Sequence, residues 1–143
     1  PRMQAMKIQN TFVLCAEDCP VDHAVVPQEK SGKPTVASLE HQILSQTPYH
    51  YTRDDLLVEV ALRKQGLSAP EREAQREALR TELLRRPQAC MRASPLPKSY
   101  GFGVHYDGEG RLAIYEKGSP DYARLAAASD VTVVKAMRNR RSS

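Results

Sequence analysis

The side chains best suited to chemistry are concentrated between Cys90 and His105. This stretch holds basic, hydroxyl and imidazole groups within sixteen positions. An arginine fork suits carboxylate or phosphate, a lysine adds a point charge, and a histidine can exchange a proton near neutral pH. We therefore predict a binding site for a small anionic ligand, formed by Arg92, Ser94, Lys98, Tyr100 and His105. Glu17 and Asp18, at the end of an earlier segment, are expected to support it by orienting a cation.

The strand that follows this loop has one nearly bare face. Large apolar side chains alternate with Gly101, Gly103 and His105, as successive residues of a strand do. An uncovered glycine strip would let a ligand approach the backbone, with Arg92, Lys98 and His105 around one cleft. In the alternative, helix 52–65 covers the strip and the loop residues only lock the local structure.

Other chemistries have weaker support. Cys15, Cys19 and His23 could bind a metal, but their spacing is not that of a common zinc site and no second ligand pair follows. The cysteines do not form a C-x-x-C redox motif. Ser94 lacks the G-x-S-x-G context of a hydrolase nucleophile. We expect no metal and no cofactor, and the sequence assigns no catalytic residue.

Nucleic acid is a poor candidate partner although the chain is mildly basic, with a net charge of +4. Arg72, Arg76 and Arg80 follow one helical stripe, but Glu73 and Glu77 run beside them and cancel much of their field. The basic end of the chain, residues 136–143, leaves weak nucleic-acid binding as an alternative.

Composition places the chain among globular domains. It has 143 residues, of which 41% are hydrophobic and 27% charged, as in one soluble domain. No apolar run approaches the roughly 20 residues that span a bilayer. Without an export signal, the three cysteines indicate a reducing cytoplasm. We expect a monomer or homodimer, and residues 1–6 to be a tag remnant or a disordered start.

Periodicity predicts an α+β single domain. An antiparallel sheet should contain the 100–106/111–115 hairpin, with three to four helices mainly on one face. The strands are predicted at 11–15, 100–106, 111–115 and 131–134. The helices are predicted at 35–46, 52–65 and 69–85, with a short one after Ser119. Capping boxes at Thr52–Asp55 and Ser68–Glu71 mark two of the helix starts.

Several motifs together resemble one family of small bacterial proteins, also found in fungi, that is known only as a domain of unknown function. They are Ala16-Glu-Asp-Cys-Pro20, Thr47-Pro-Tyr-His-Tyr-Thr-Arg-Asp-Asp55, Arg92-Ala-Ser-Pro-Leu-Pro-Lys98, Tyr100-Gly-Phe-Gly-Val-His105 and Lys135-Ala-Met-Arg138. The resemblance spans about Asn10 to Arg140. It implies no activity, but it implies recurring polar positions at Glu17, Asp18, Asp54, Asp55, Arg92, Ser94, Lys98, Tyr100, His105, Lys135 and Arg138. Phe102 stands where relatives carry tryptophan, which suggests a packing role for that ring.

The leading functional hypothesis is therefore a soluble binding domain for a small anionic ligand at residues 92–105, with catalysis left open. The competing hypothesis is a structural or protein-interaction module.

Overall fold

The structure, a computed structural model, describes residues 7–140 and contains four strands and four α-helices. The strands are β1 Thr11–Leu14, β2 Phe102–Tyr106, β3 Leu112–Glu116 and β4 Thr132–Lys135. The helices are α1 Val36–Gln46, α2 Arg53–Lys64, α3 Ala69–Leu83 and α4 Pro120–Ala127. The predicted α+β fold is confirmed, with each of these elements close to its predicted place. The expected tag remnant or disordered start, 1–6, and the last residues of the basic end, 141–143, lie outside the described residues.

The strands form one sheet in the order β3-β2-β1-β4. The β2–β3 hairpin is present and antiparallel, and β1 pairs antiparallel with β2. β4 is the exception, because it runs parallel to β1 and makes the sheet mixed. β2 also begins later than predicted, at Phe102, since a π-helical turn over Leu96–Tyr100 precedes it and ends at Gly101 with φ of 80°.

The main core lies between the sheet and helices α1 and α2. Both helices have the predicted apolar stripe, and its buried residues belong to the same cluster as the large side chains of β2. Its most buried members include Val13, Leu39, Ile43, Leu44, Leu56, Met91, Leu96, Phe102, Val104 and Leu112. α3 has no buried residue and packs against α2 through charged side chains. Helices therefore cover mainly one face.

Helix α4 covers part of the opposite face. The ring of Tyr122 on α4 packs edge-on against Phe12 of β1, with ring centroids 5.1 Å apart. The Tyr122 hydroxyl accepts a hydrogen bond from the Cys15 backbone N–H at 2.9 Å. This contact fixes α4 to the end of β1 and forms a small second core.

Side-chain caps begin α2 and α3, as predicted, but only the second is a complete capping box. Thr52 accepts from the backbone N–H of Asp55 at 3.2 Å, without a reciprocal bond from the Asp55 side chain among the described residues. Ser68 and Glu71 form a reciprocal capping box. Such caps satisfy backbone donors that have no partner within the helix. No helix within residues 7–140 is long and apolar enough to cross a bilayer.

Candidate functional site

The five predicted ligand-binding residues lie in four different places. Arg92 is exposed beside the end of β4, and Lys98 and Tyr100 lie in the π-helical turn. Ser94 is buried, with 2% of its surface exposed. His105 lies in β2, two strands away from β4. The fold therefore does not gather Arg92, Lys98 and His105 around one cleft.

Arg92 is joined to the end of β4 by two hydrogen bonds. Its Nε donates to the Lys135 carbonyl at 2.7 Å. Its own carbonyl accepts from the Met137 N–H at 2.9 Å. Among the residues that the structure describes, neither terminal nitrogen of Arg92 has a hydrogen-bond partner. The guanidinium is thus held by one nitrogen and leaves its end-on fork available.

Residues 135–140, which we call the C-terminal segment, are held against the body by Glu17 and Asp18. Glu17 accepts from Lys135 Nζ at 2.9 Å and from an Arg138 terminal nitrogen at 2.6 Å. These hydrogen bonds lower the pKa of Glu17 below its ordinary value. Backbone N–H groups of the segment donate to Asp18, which lowers the pKa of Asp18 in the same direction. Glu17 therefore orients Lys135 and Arg138, whereas Asp18 binds backbone N–H groups of the segment and no cationic side chain among the described residues.

The surface around this segment is strongly basic. We call it the basic edge; its cations are Arg92, Lys98, Lys135, Arg138 and Arg140. Glu17 and Asp18 are the acidic residues bonded to it, so five positive charges face two negative charges. Asn139 connects the two halves of the surface, because its side-chain amide donates to the Lys98 carbonyl at 2.8 Å.

Ser94 belongs to a buried polar network instead of an open surface. Its hydroxyl donates to Glu40 Oε1 at 2.6 Å and accepts from the Leu96 N–H at 3.1 Å. Glu40 is itself 2% exposed and receives a further hydrogen bond from Arg53 at 3.0 Å. The network joins the 92–98 loop to α1 and α2, so it fixes the position of the loop that carries Arg92 and Lys98.

His105 takes part in a chain of hydrogen bonds near α4. The Tyr49 hydroxyl lies 2.8 Å from His105 Nδ1 and 2.6 Å from the Tyr115 hydroxyl. Burial lowers the pKa of His105, so the imidazole is neutral at pH 7. Burial also raises the pKa of Tyr49, which stays protonated. Tyr49 reaches this position because residues 49–52 pair with the outer edge of β3.

The glycine strip of β2 is closed, but not by helix 52–65. A Cβ at Gly103 would stand 2.5 Å from the Phe12 ring and 2.7 Å from the Tyr122 ring. A Cβ at Gly101 would stand 2.8 Å from the His23 carbonyl oxygen. Both glycines therefore allow close packing within the protein, and the strip does not form the floor of a ligand cleft.

The arginine stripe of α3 faces α2. Arg76 donates to Glu59 at 2.6 Å, and Arg80 donates to Asp55 at 2.6 Å. Glu59 is also bonded by Arg63 at 2.7 Å. Burial alone would raise the pKa of Glu59, but the hydrogen bonds from its arginines bring it below the ordinary value. The stripe is thus part of the interface between α3 and α2.

Sequence reasoning missed two residues that organise these contacts. Glu40 lies on the apolar stripe of α1, three residues before Ile43, and a carboxylate at such a position signals a buried polar partner. Tyr49 gave no such signal, because its partner His105 is 56 positions away and only the fold joins them.

The cysteines form no metal centre in the described part of the chain. Within residues 7–140, no group of three His, Cys, Asp or Glu side chains is placed to hold a metal ion. Cys15, Cys19 and Cys90 are free thiols, and burial raises the pKa of Cys15. Reduced thiols are the state expected in a reducing compartment.

Comparison with known proteins gives one match. A model described as a family of unknown function, DUF6157, matches residues 3–142. No curated protein and no solved structure matches the chain.

Proposed function

The chain belongs to the DUF6157 family of unknown function, and because membership assigns no activity, we propose from its own residues that it is a binding domain for a small anionic ligand at the basic edge. The observation that carries this proposal is the hydrogen bonding of the Arg92 guanidinium. Its Nε is fixed by the Lys135 carbonyl, while its end-on fork has no partner among the described residues. A guanidinium held in this way is pre-organised for two parallel hydrogen bonds to a carboxylate or phosphate.

Neighbouring charges support the same ligand class. The side chains of Lys98 and Arg140 have no hydrogen-bond or ion-pair partner within residues 7–140. Three such cations would attract an anion, whereas Glu17 and Asp18 are already bonded to the C-terminal segment. Ser94 acts indirectly by locking the loop. No hydrogen bond joins His105 or Tyr100 to Arg92 among the described residues, so the proposal concerns binding and names no catalytic step.

A small ligand fits the basic edge better than nucleic acid does. The arginines of α3, which would have to extend a nucleic-acid surface, are bonded to Glu59 and Asp55. Nucleic-acid affinity arises from many neutralised phosphates and falls steeply with salt. In a structural or protein-interaction module, by contrast, the Arg92 contacts only order residues 135–140 and no small anion binds.

The experiment is a thermal-shift screen with inorganic phosphate, citrate and a panel of phosphorylated and carboxylated metabolites. A ligand at a hundred times its dissociation constant should add about 2.7 kcal/mol to the free energy of unfolding. The Lys98→Ala/Arg140→Ala double variant should lose this stabilisation, and it should fold because neither side chain makes a hydrogen bond or ion pair within residues 7–140. Lys64→Ala, an exposed lysine of α2, is the matched control.

Two outcomes would decide against the proposal. If no anion of the panel stabilises the wild-type protein, the basic edge is a structural feature. If stabilisation is equal in the double variant, the anion binds elsewhere. Binding of a mixed oligonucleotide with steep salt dependence would favour the nucleic-acid alternative.

We also infer a reducing, cytoplasmic setting and a monomer or homodimer. Three free cysteines support the first inference. Mass spectrometry after thiol blocking of protein in fresh cell extract should find all three blocked, and sedimentation velocity should give one or two copies. A disulfide, or a larger assembly, would contradict them.

A further inference from the structure

A cavity of about 340 Å³ lies at the start of α2, outside the basic edge. Its walls come from the first turn of α2, the second half of α3, the loop at 88–90, the β2–β3 turn and residues 7–8. Five separate parts of the chain thus meet around it. Its volume is within the range of small-molecule pockets.

Charges of both signs line this cavity in equal number. The three basic and three acidic residues are Lys7, Arg53, Arg80, Asp54, Asp55 and Glu109. A polyanion such as a nucleotide would meet three carboxylates, and a simple cation would meet three basic groups. Electrostatic complementarity therefore favours a ligand that carries both charges.

Two arginines of the cavity are held in place by hydrogen bonds to the protein. Arg53 Nε donates to the Ala89 carbonyl at 2.9 Å, and one terminal nitrogen donates to buried Glu40 at 3.0 Å. Its other terminal nitrogen has no partner in the described part of the chain. Arg80 uses one terminal nitrogen on Asp55 and keeps the other. Both guanidinium groups can therefore donate to a carboxylate at the positive end of the α2 dipole.

The acidic groups retain unused acceptors. Asp54 is exposed and has no hydrogen-bond or ion-pair partner within residues 7–140. Glu109 has only a loose ion pair with Arg111, at 3.9 Å. Tyr106, Ala89 and Cys90 also line the cavity and add apolar surface.

From these observations we propose that the cavity binds a small zwitterion of the amino-acid type. Arg53 and Arg80 receive its carboxylate, Asp54 and Glu109 receive its ammonium group, and the apolar wall receives its side chain. This site is independent of the basic edge, because none of the basic-edge residues lines the cavity.

Cys90 provides a reporter, because it lines the cavity and is partly exposed. In a Cys15→Ala/Cys19→Ser background, a chromophoric thiol reagent reports on Cys90 alone. We screen the twenty common amino acids, with L-phenylalanine as the reference probe. The two analogues of that probe, 3-phenylpropanoate and 2-phenylethylamine, each lack one charged group. L-Phenylalanine should slow labelling of Cys90. Each analogue should require about a tenfold higher concentration for the same protection, because it lacks one charge-assisted set of hydrogen bonds.

Substitution of Asp54 distinguishes recognition of the ligand's ammonium group from recognition of its carboxylate. Asp54→Asn should weaken protection by L-phenylalanine by about tenfold but leave protection by 3-phenylpropanoate unchanged. Glu77→Gln is the matched control, since Glu77 is an exposed carboxylate of α3 outside the cavity.

The proposal is overturned if none of the amino acids slows labelling of Cys90 in the folded protein. It is also overturned if the singly charged analogues protect as well as L-phenylalanine, or if Asp54→Asn behaves like Glu77→Gln. None of these results bears on the basic edge, whose test uses other probes and other variants.

Discussion

Ser94 Oγ donates a hydrogen bond of 2.6 Å to Glu40 Oε1 across 54 residues of sequence, and both residues are 2% exposed. A carboxylate so deeply buried needs several partners to offset its lost hydration. Ser94 and Arg53 supply them from two different elements. The contact therefore fixes the loop that carries Arg92 relative to α1.

Ser94→Ala should lower the free energy of unfolding by about 1–3 kcal/mol, because it removes one partner of a buried charge. Urea denaturation measures this loss. Ser45→Ala, an exposed serine of α1, should change stability by less than about 0.5 kcal/mol. Equal stabilities for the two variants would show that Glu40 does not depend on Ser94.

Gly103→Ala should lower the free energy of unfolding by about 1–3 kcal/mol through overpacking. The new methyl would stand 2.5 Å from a ring carbon of Phe12 and 2.7 Å from a ring carbon of Tyr122, and both rings are packed in the second core. Gly108→Ala is the control, since its methyl would meet no atom closer than 3.6 Å. A wild-type melting temperature for Gly103→Ala would contradict the placement of α4.

Glu59→Gln should weaken the attachment of α3 to α2 by about 1–3 kcal/mol, because the arginines that lose a charged partner remain partly exposed to solvent. The Glu59 side chain is 3% exposed and pairs with Arg72 and Arg76 of α3, whereas α3 has no buried apolar residue to replace these contacts. Amide exchange should speed up in α3 before it does in β2. Glu73→Gln, whose carboxylate is 78% exposed, should leave the exchange of α3 unchanged.

His105 should make stability depend on pH between about 7 and 5. Burial lowers its pKa in the folded protein, so below the unfolded value of about 6.5 the unfolded state binds more protons. The free energy of unfolding should therefore fall as the pH falls through this window. His41, whose pKa burial also lowers, adds to the same trend, so the His105 part is the difference between wild type and His105→Gln.

Gln42→Asn, which changes an exposed side chain that does not titrate, should retain the wild-type pH dependence. NMR titration of the His105 imidazole tests the same point without a variant. An apparent pKa at or above that of a model peptide would rule out the buried hydrogen-bond chain with Tyr49.

The helices and strands could be predicted because the residues that determine them lie close together in the sequence. Thr52 and Ser68 mark the starts of α2 and α3, and alternation around Asp107–Gly110 marks the β2–β3 hairpin. Helix caps, apolar stripes and turn residues act within a few positions of one another. The sequence by itself therefore determined the α+β class and the order of the elements.

Tertiary structure decided which of these residues meet. Nothing local indicates that β4 runs parallel to β1, that Phe12 and Tyr122 cover Gly103, or that Arg92 lies beside the end of β4 while His105 lies in β2. These outcomes depend on strand pairing and packing between segments that are separated in the sequence, where hydrophobic burial is non-directional and many pairings share one pattern. The cavity at α2 could not be predicted from the sequence, because its five walls are distant in sequence and come together only when the core has formed.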